Sequence, residues 1–158
     1  TQYLVRRAKV VIFTNDPDRP RFDMKVRGRG MPPDSATDID VQGLGKSIAD
    51  NDNTPQKNTG TKFGRVALGG MSERVYTIRN VGEATLTLDG PILLSGAGAD
   101  QFTITVQPAL SVLEAGQSTT FTVVFNPTLT GAQRADILIP NNDPDEPVFN
   151  FRVIGSGA

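Results

Sequence analysis

The chain has 158 residues, 37% of them hydrophobic, so it is long enough to bury one full core and carry a smaller appendage. It contains no cysteine and no histidine, which excludes a disulfide framework, a thiolate metal site and the usual histidine general base. It also lacks an apolar run of about 18 residues, so we expect no membrane insertion in this fragment, and we expect any signal peptide or anchor to lie outside it.

The formal net charge of −1 hides an uneven distribution. Residues 1–30 carry eight basic and three acidic side chains, a net charge of +5, which leaves −6 for the other 128 residues. One interpretation is that these charges cover the solvated faces of strands. The other is that a basic end of one unit meets an acidic surface of another and steers assembly. We expect no nucleic-acid binding, because the basic residues lack interleaved aromatic side chains and a helix that could enter a groove.

The first predicted element is a β-hairpin at residues 6–30, and it recurs near the end of the chain. Residues 7–30 and 134–157 align at an offset of 127 and are identical at 12 of 24 positions. Each segment predicts a strand, an Asn-Asp-Pro-Asp turn, a second strand and a Gly-x-Gly exit. Repetition of this kind is typical of a tandem array. We therefore predict the terminal hairpin of a preceding repeat at 1–30, a proline-containing linker at 31–37 and a full repeat at 38–158.

Beyond the linker, apolar and polar residues alternate with a period of two, which predicts half-buried antiparallel strands. Short turn-forming segments separate these strands, and no segment has a helical period. The predicted fold is all-β, an immunoglobulin-like antiparallel β-sandwich of about seven strands preceded by the N-terminal β-hairpin. The residues expected to face its core are Tyr76, Ile78, Leu86, Leu88, Phe102, Ile104, Val106, Phe121, Val123, Phe125, Ile137, Ile139, Phe149, Phe151 and Val153.

The N-terminal hairpin is expected to carry an apolar face without its native partner. Because exposed strand edges pair with other sheets, we predict an assembly interface that works by strand addition. Pairing in cis with its own domain and pairing in trans, which would give a homo-oligomer, are both open. The predicted interface residues are Val10, Ile12, Phe22, Met24, Val26, Arg19 and Arg21.

Calcium is the one cofactor for which the sequence offers ligands. Asp50 and Asp52 alternate with Asn residues in a loop, and Asp38 and Asp40 shortly precede it. The alternative is an Asx-rich turn whose side chains bond their own backbone. No other cofactor is expected. The Gly45-Lys46-Ser47 sequence resembles the end of a phosphate-binding loop, but it lacks the required first glycine and a following helix.

Two loops of the predicted sandwich are further candidate contact surfaces. They are residues 43–60 and 95–100.

Several segments together resemble a known family. ERVYTIRNVGEATLTLDG, LEAGQSTTFTVVFNP and the NDPDEP turn with its closing strand resemble the choice-of-anchor D repeat of large bacterial surface proteins. They are similar at one remove to hydin-like and major-sperm-protein-like immunoglobulin-fold modules. The resemblance covers about residues 38–157, plus the hairpin at 6–30. Pro140 departs from the first copy, which has Phe13, and a proline there should end the strand or lie at a sheet edge.

The resemblance implies a non-catalytic structural or adhesive module of a secreted or surface-anchored bacterial protein, located outside the cell or on its surface. Its partners would be neighbouring repeats of the same protein, and its function spacing, display or assembly through domain–domain contacts. The alternative is a ligand-binding, calcium-dependent accessory module attached to an extracellular enzyme.

Overall fold

The computed structural model describes residues 5–29 and 37–158. These residues fall into two compact units, one within residues 1–35 and one within residues 36–158. We call them the hairpin unit and the sandwich unit. Of the predicted linker 31–37, all but Thr37 lies outside the described residues.

The hairpin unit is one antiparallel pair of strands, β1 (Val5–Phe13) and β2 (Arg21–Arg29). The turn between them is closed by the Thr14 N–H, which donates to the Pro20 carbonyl at 3.0 Å. Inside the turn, Asp16 Oδ1 accepts from the Asp18 N–H at 2.9 Å. An Asp side chain bonded two residues ahead is the reason that this sequence makes a tight turn.

The sandwich unit contains eleven described strands. Seven have five residues or more, which agrees with the predicted number, and four have two or three. The strands are β3 (Ile39–Gly43), β4 (Lys46–Ile48), β5 (Lys62–Val66), β6 (Ser72–Asn80), β7 (Leu86–Thr87), β8 (Leu93–Ser95), β9 (Phe102–Val106), β10 (Val112–Leu113), β11 (Ser118–Phe125), β12 (Gly131–Pro140) and β13 (Val148–Gly157).

The strands of the sandwich unit form two main sheets. One has five strands in the order β4-β3-β6-β11-β9, and the other has four in the order β5-β13-β12-β8. β7 and β10 form a separate antiparallel pair. Between the described strands, pairings are antiparallel except that of β5 with β13, which is parallel. The helical content described is one 3-10 turn, Ala99–Gln101. The fold is therefore the predicted immunoglobulin-like β-sandwich.

Aromatic side chains fill the space between the two main sheets. Tyr76 from the five-stranded sheet lies 5.3 Å from Phe151 of the four-stranded sheet, measured between ring centroids. Phe63 of β5 lies 5.5 Å from Phe102 and 6.0 Å from Phe125. These rings are all buried. Large aromatic side chains remove the most apolar surface from water, so this cluster is the centre of the core.

The two copies of the repeated segment form the same hairpin. Val5 pairs with Arg29, and 127 residues further along Ala132 pairs with Ser156. The turn bonds also correspond, because the Asn141 N–H donates to the Pro147 carbonyl at 3.1 Å, as Thr14 does to Pro20. The repeat in the sequence is thus a repeat in strand register.

One core prediction was wrong at the end of β9. Val106 was expected to face inward but is 53% exposed, while its pairing partner Thr122 is 8% exposed. The pairing of β11 with β9 shifts between Thr122 and Val123, where β9 has one extra residue. A bulge of this kind reverses the faces beyond it, which turns Val106 outward.

The sequence also left five strands unassigned. β3, β4 and β5 lie in a segment rich in Asn, Gly and Thr that resembles loop material, and β8 and β10 have only three and two residues. Pro140, by contrast, is the last residue of β12, in agreement with the prediction, and β1 ends at the equivalent Phe13 before the same turn. Among the described residues, no helix has the length and apolarity that crossing a membrane requires.

Candidate interaction surfaces

The five apolar residues predicted as an assembly interface lie on one face of the hairpin unit. Val10 pairs with Met24, Ile12 pairs with Phe22, and Val26 pairs with Ala8. Alternate residues share a face, so these pairs form one continuous surface, which we call the hairpin face. Its five large side chains are 39–49% exposed.

The two predicted arginines do not belong to the hairpin face. Arg21 pairs with Phe13 on the opposite face, where its Nε donates to Asp23 Oδ1 at 2.9 Å. Lys9 bonds the same carboxylate at 2.7 Å. Arg19 lies in the turn, where its N–H donates to Asp16 Oδ1 at 3.3 Å. The structure thus separates an apolar face from a charged one.

A second candidate surface is an acidic end of the sandwich unit. We define the acidic end by Asp38, Asp50, Asp143, Asp145 and Glu146. It is organised by the turn between β12 and β13, where Asp143 Oδ2 accepts from the Ile39 N–H at 3.1 Å and Oδ1 accepts from the Asp145 N–H at 3.0 Å. Asp143 is 3% exposed, so both bonds compensate for the burial of its charge.

Two carboxyl groups at the acidic end, those of Glu146 and Asp38, have raised pKa values. The pKa of Glu146 rises to about 7, mainly because burial disfavours its charged form. The pKa of Asp38 is also raised, again with burial as the largest cause. Neighbouring carboxylates add to both shifts. For Glu146 they are Asp50, Asp143, Asp38 and Asp145, and for Asp38 they are Asp143, Asp40 and Asp145.

Three of the four predicted calcium ligands accept separate hydrogen bonds with their carboxylates. Asp52 Oδ1 accepts from the N–H and hydroxyl of Thr54, at 2.8 and 2.6 Å, which is the Asx-turn alternative. Asp40 Oδ2 accepts from Gln42 at 2.5 Å. Asp50 Oδ1 accepts from the Asn150 N–H at 2.8 Å.

Of these four residues, Asp38 and Asp50 lie at the acidic end. Within residues 5–29 and 37–158, no group of three or more acidic side chains is placed to hold a metal ion. Calcium binding stays a prediction.

The two loops expected to be contact surfaces have different structures. Residues 43–60 include β4, and Leu44 and Gly45 turn the chain with φ of 53° and 72°. Gly45-Lys46-Ser47 therefore lies at a hairpin turn with no helix after it. Within residues 95–100, residues 96–98 border a cavity of about 280 Å³, together with Arg134 and the ion pair of Arg152 with Asp136. This volume is just below the usual range for small-molecule sites.

Sequence reasoning missed a close approach at β13. A Cβ added to Gly155 would lie 2.6 Å from Cζ of Phe125, and two other carbons of that ring would be closer still. A Cβ on Gly157 would overlap the Leu129 carbonyl oxygen. Glycine is needed here for space. The signal was in the repeat, because Gly28 and Gly30 occupy the same two positions in the first copy.

The sequence of the sandwich unit matches the model of one protein family. The family model of the ASH domain (Abnormal spindle-like microcephaly-associated, ASPM-SPD-2-Hydin) matches residues 54–147, more than half of the chain. The chain belongs to the ASH family. Its sandwich unit is a hydin-like β-sandwich module, in agreement with the expected resemblance at that coarser level.

Several solved structures are similar to this chain. A protein of unknown function from Porphyromonas gingivalis W83 is 16% identical with a TM-score of 0.55, over 98% of this chain and 66% of that one. The ASH/PapD-like domain 7 of human CEP192 is 18% identical with a TM-score of 0.46, over 81% and 90%. Vibrio cholerae VesB protease is 12% identical with a TM-score of 0.47, over 77% and 31%.

The chain thus spans 66% of the Porphyromonas protein and 31% of VesB. No protein of curated function matches the sequence.

Proposed function

We propose that this chain is part of a bacterial secreted or surface-anchored protein of the choice-of-anchor D type. In that protein, copies of the sandwich unit follow one another and act in spacing, display and assembly through contacts between neighbouring domains. The units themselves are non-catalytic.

The observation that carries this proposal is the repeated hairpin. β1 and β2 pair in the register of β12 and β13, with the same bonds closing the turn. An enzyme has no need for a second copy of its last two strands. A tandem array produces such a copy wherever one unit ends before the next begins.

The path of the chain through the sandwich unit supports joining in series. The unit begins at the acidic end, where Asp143 in the β12–β13 turn receives the Ile39 N–H. It ends at the other end of β13, where the Ala158 N–H donates to the Val66 carbonyl at 2.9 Å. Ten residues of strand separate the two ends, a span of roughly 30 Å. Units joined this way extend along the strand direction, which suits a spacer.

The chemistry of the ionisable groups fits a structural role. The sequence has no histidine or cysteine, and Asp143 serves to fasten a turn to a strand. Arg152 and Asp136 form a two-point ion pair across β13 and β12, at 2.7 and 3.1 Å. Groups held in such pairs position strands.

Labelling of intact cells tests the location. Antibodies raised against the chain should bind unpermeabilised cells of the source organism as strongly as permeabilised ones, with an antibody to a cytoplasmic protein as the control for leakage. Labelling that requires permeabilisation would contradict the proposal.

The flanking coding sequence tests the array. The proposal expects further copies that end in Asn-Asp-Pro-Asp turns, followed by a C-terminal anchor. A single copy beside a catalytic domain would favour the accessory-module alternative instead.

A further inference from the structure

The hairpin face has an equivalent in the sandwich unit whose surroundings are known in full. At the offset of 127, Ala8, Val10 and Ile12 correspond to Ala135, Ile137 and Ile139. Phe22, Met24 and Val26 correspond to Phe149, Phe151 and Val153. Four of these six positions are identical, and the two differences exchange one large apolar side chain for another. The hairpin face therefore has the apolar composition of a buried core surface.

The two copies of the hairpin differ in how far their apolar side chains are buried. The five large side chains of the hairpin face are 39–49% exposed, whereas their equivalents in the sandwich unit are 0–2% exposed. The cover over those equivalents comes from the five-stranded sheet. Tyr76 of β6, for example, lies 5.3 Å from Phe151, the equivalent of Met24.

The strand edges of the hairpin unit are open in the same way. In the sandwich unit, β8 pairs along β12 and β5 pairs along β13. Among the described residues, β1 and β2 pair with each other and with no third strand. The backbone groups that a two-stranded ribbon leaves unpaired are the ones that neighbouring strands would satisfy.

Gly28 points to a particular feature of the missing cover. Its equivalent, Gly155, has no Cβ because the ring of Phe125 occupies that space. Gly155 does not have a positive φ, so its backbone conformation does not require glycine. The sequence keeps glycine at residue 28 as well. The position is suited to an aromatic side chain from another sheet.

The turn of the hairpin unit carries a second unfilled contact. Asp16 is the equivalent of Asp143 and bonds its own turn through Oδ1 in the same way. Asp143 uses Oδ2 to bind the Ile39 N–H, which is the first backbone donor of β3. By this correspondence, Asp16 Oδ2 would accept the same N–H of another copy.

We propose that the hairpin unit is the closing hairpin of a second sandwich, and that its hairpin face binds the five-stranded sheet of another copy of this unit. The contact is face to face, with an aromatic ring over Gly28, and differs from simple strand addition at an edge. In the parent protein the sheet is supplied by the repeat that precedes residue 7. This inference rests on the proposed function only where it names a preceding repeat as the source of the sheet. The fit of the hairpin face to such a sheet is argued from the comparison of β1 and β2 with β12 and β13.

A fusion that supplies the missing sheet tests the proposal. Residues 37–133 are placed directly before Arg7 of the full chain, so that the added segment runs into the hairpin at the point where it normally runs into Arg134. The amides of β1 and β2 should then exchange with solvent at least about a hundredfold more slowly than in the unfused chain, because they open only with a whole sandwich. A fusion whose C-terminal sandwich is folded while these amides exchange as before would overturn the proposal.

Gly28→Val provides the specific variant. In the unfused chain it should leave the exchange rates of β1 and β2 and the unfolding midpoint of the sandwich unit unchanged. In the fusion it should remove most of the gained protection, since the new side chain meets the ring. Gly155→Val is the positive control in both proteins and should lower the midpoint of the C-terminal sandwich. Equal effects of Gly28→Val in the fused and unfused chains would contradict the assignment.

A different partner for the hairpin face would be detected in measurements on the unfused chain. If two hairpin faces bind each other, the unfused chain is a dimer by light scattering and its β1 and β2 amides are already protected, which overturns the proposal. The proposed function is tested separately. Protection in the fusion together with an intracellular location of the parent protein would leave this inference standing and refute the surface role.

Discussion

Gly155→Ala is expected to destabilise the sandwich unit strongly, although it adds a single methyl group. The Cβ would lie 2.6 Å from Cζ of Phe125 and no farther from two other carbons of that ring. Carbon atoms in contact normally lie about 3.5–4 Å apart, so the overlap is about 1 Å. Phe125 is fully buried and cannot swing away into solvent.

The magnitude follows from how firmly the ring is held. The Phe102 ring lies 4.7 Å and the Phe63 ring 6.0 Å from that of Phe125, so a displaced ring pushes two further aromatic side chains. Overpacking a dense core costs about 1–3 kcal/mol, and a ring confined on both sides belongs at the upper end. For a unit of this size, about 3 kcal/mol lowers the melting temperature by roughly 12 °C.

Urea and thermal unfolding, followed by circular dichroism, measure this change. Gly90→Ala is the matched control, because a Cβ there meets no atom within 4 Å and Gly90 has no positive φ. It should shift the melting temperature by no more than a few degrees, upward if at all. The reasoning is refuted if Gly155→Ala is as mild as Gly90→Ala.

Three further predictions concern the acidic end. Asp143→Ala removes the acceptor of the buried Ile39 N–H and should cost about 2 kcal/mol in urea unfolding, while Asp145→Ala, whose exposed side chain makes no such bond, should cost almost nothing. Folding raises the pKa of Glu146 from 4.5 to about 7, so the folded state binds this proton more tightly, and stability should fall as the pH rises from about 4.5 to about 7. Glu146 is partly exposed, so the loss is roughly 1 kcal/mol, and Glu146→Gln should abolish it; a variant with the same pH profile as the parent would count against this account. The calcium prediction requires a higher unfolding midpoint with calcium than with chelator, and equal midpoints would dispose of it.

The strands that the sequence predicted well are those with one buried and one solvated face. Phe121, Val123 and Phe125 recur at every second position because their face of β11 is turned to the core, and all three are fully buried. The repeated hairpin was predicted equally well, since its Asp and Pro residues specify the turn and the turn fixes the strand register.

Predictions failed where distant residues decide the outcome. β3, β4 and β5 have weak strand patterns of their own, and β5 gains its backbone partners by pairing in parallel with β13, which comes some 90 residues later in the chain. The bulge in β9 depends on its register against β11, so the alternation within QFTITV placed Val106 on the wrong face.

The sequence by itself determined the all-β class, the sandwich, the repeated hairpin and the sharp end of β12 at Pro140, because each depends on period or turn chemistry within a short segment. The tertiary structure alone decided that Asp38 and Asp50 join Asp143 and Glu146 at one end, and that Gly155 makes room for Phe125. Those contacts join residues far apart in the chain, and their geometry is set by how the two sheets pack. The exposed hairpin face depends on both sequence and tertiary structure. Its alternation of apolar and polar residues is evident from the sequence, whereas the absence of a sheet packed against it is recognised only because the equivalent residues of β12 and β13 are buried.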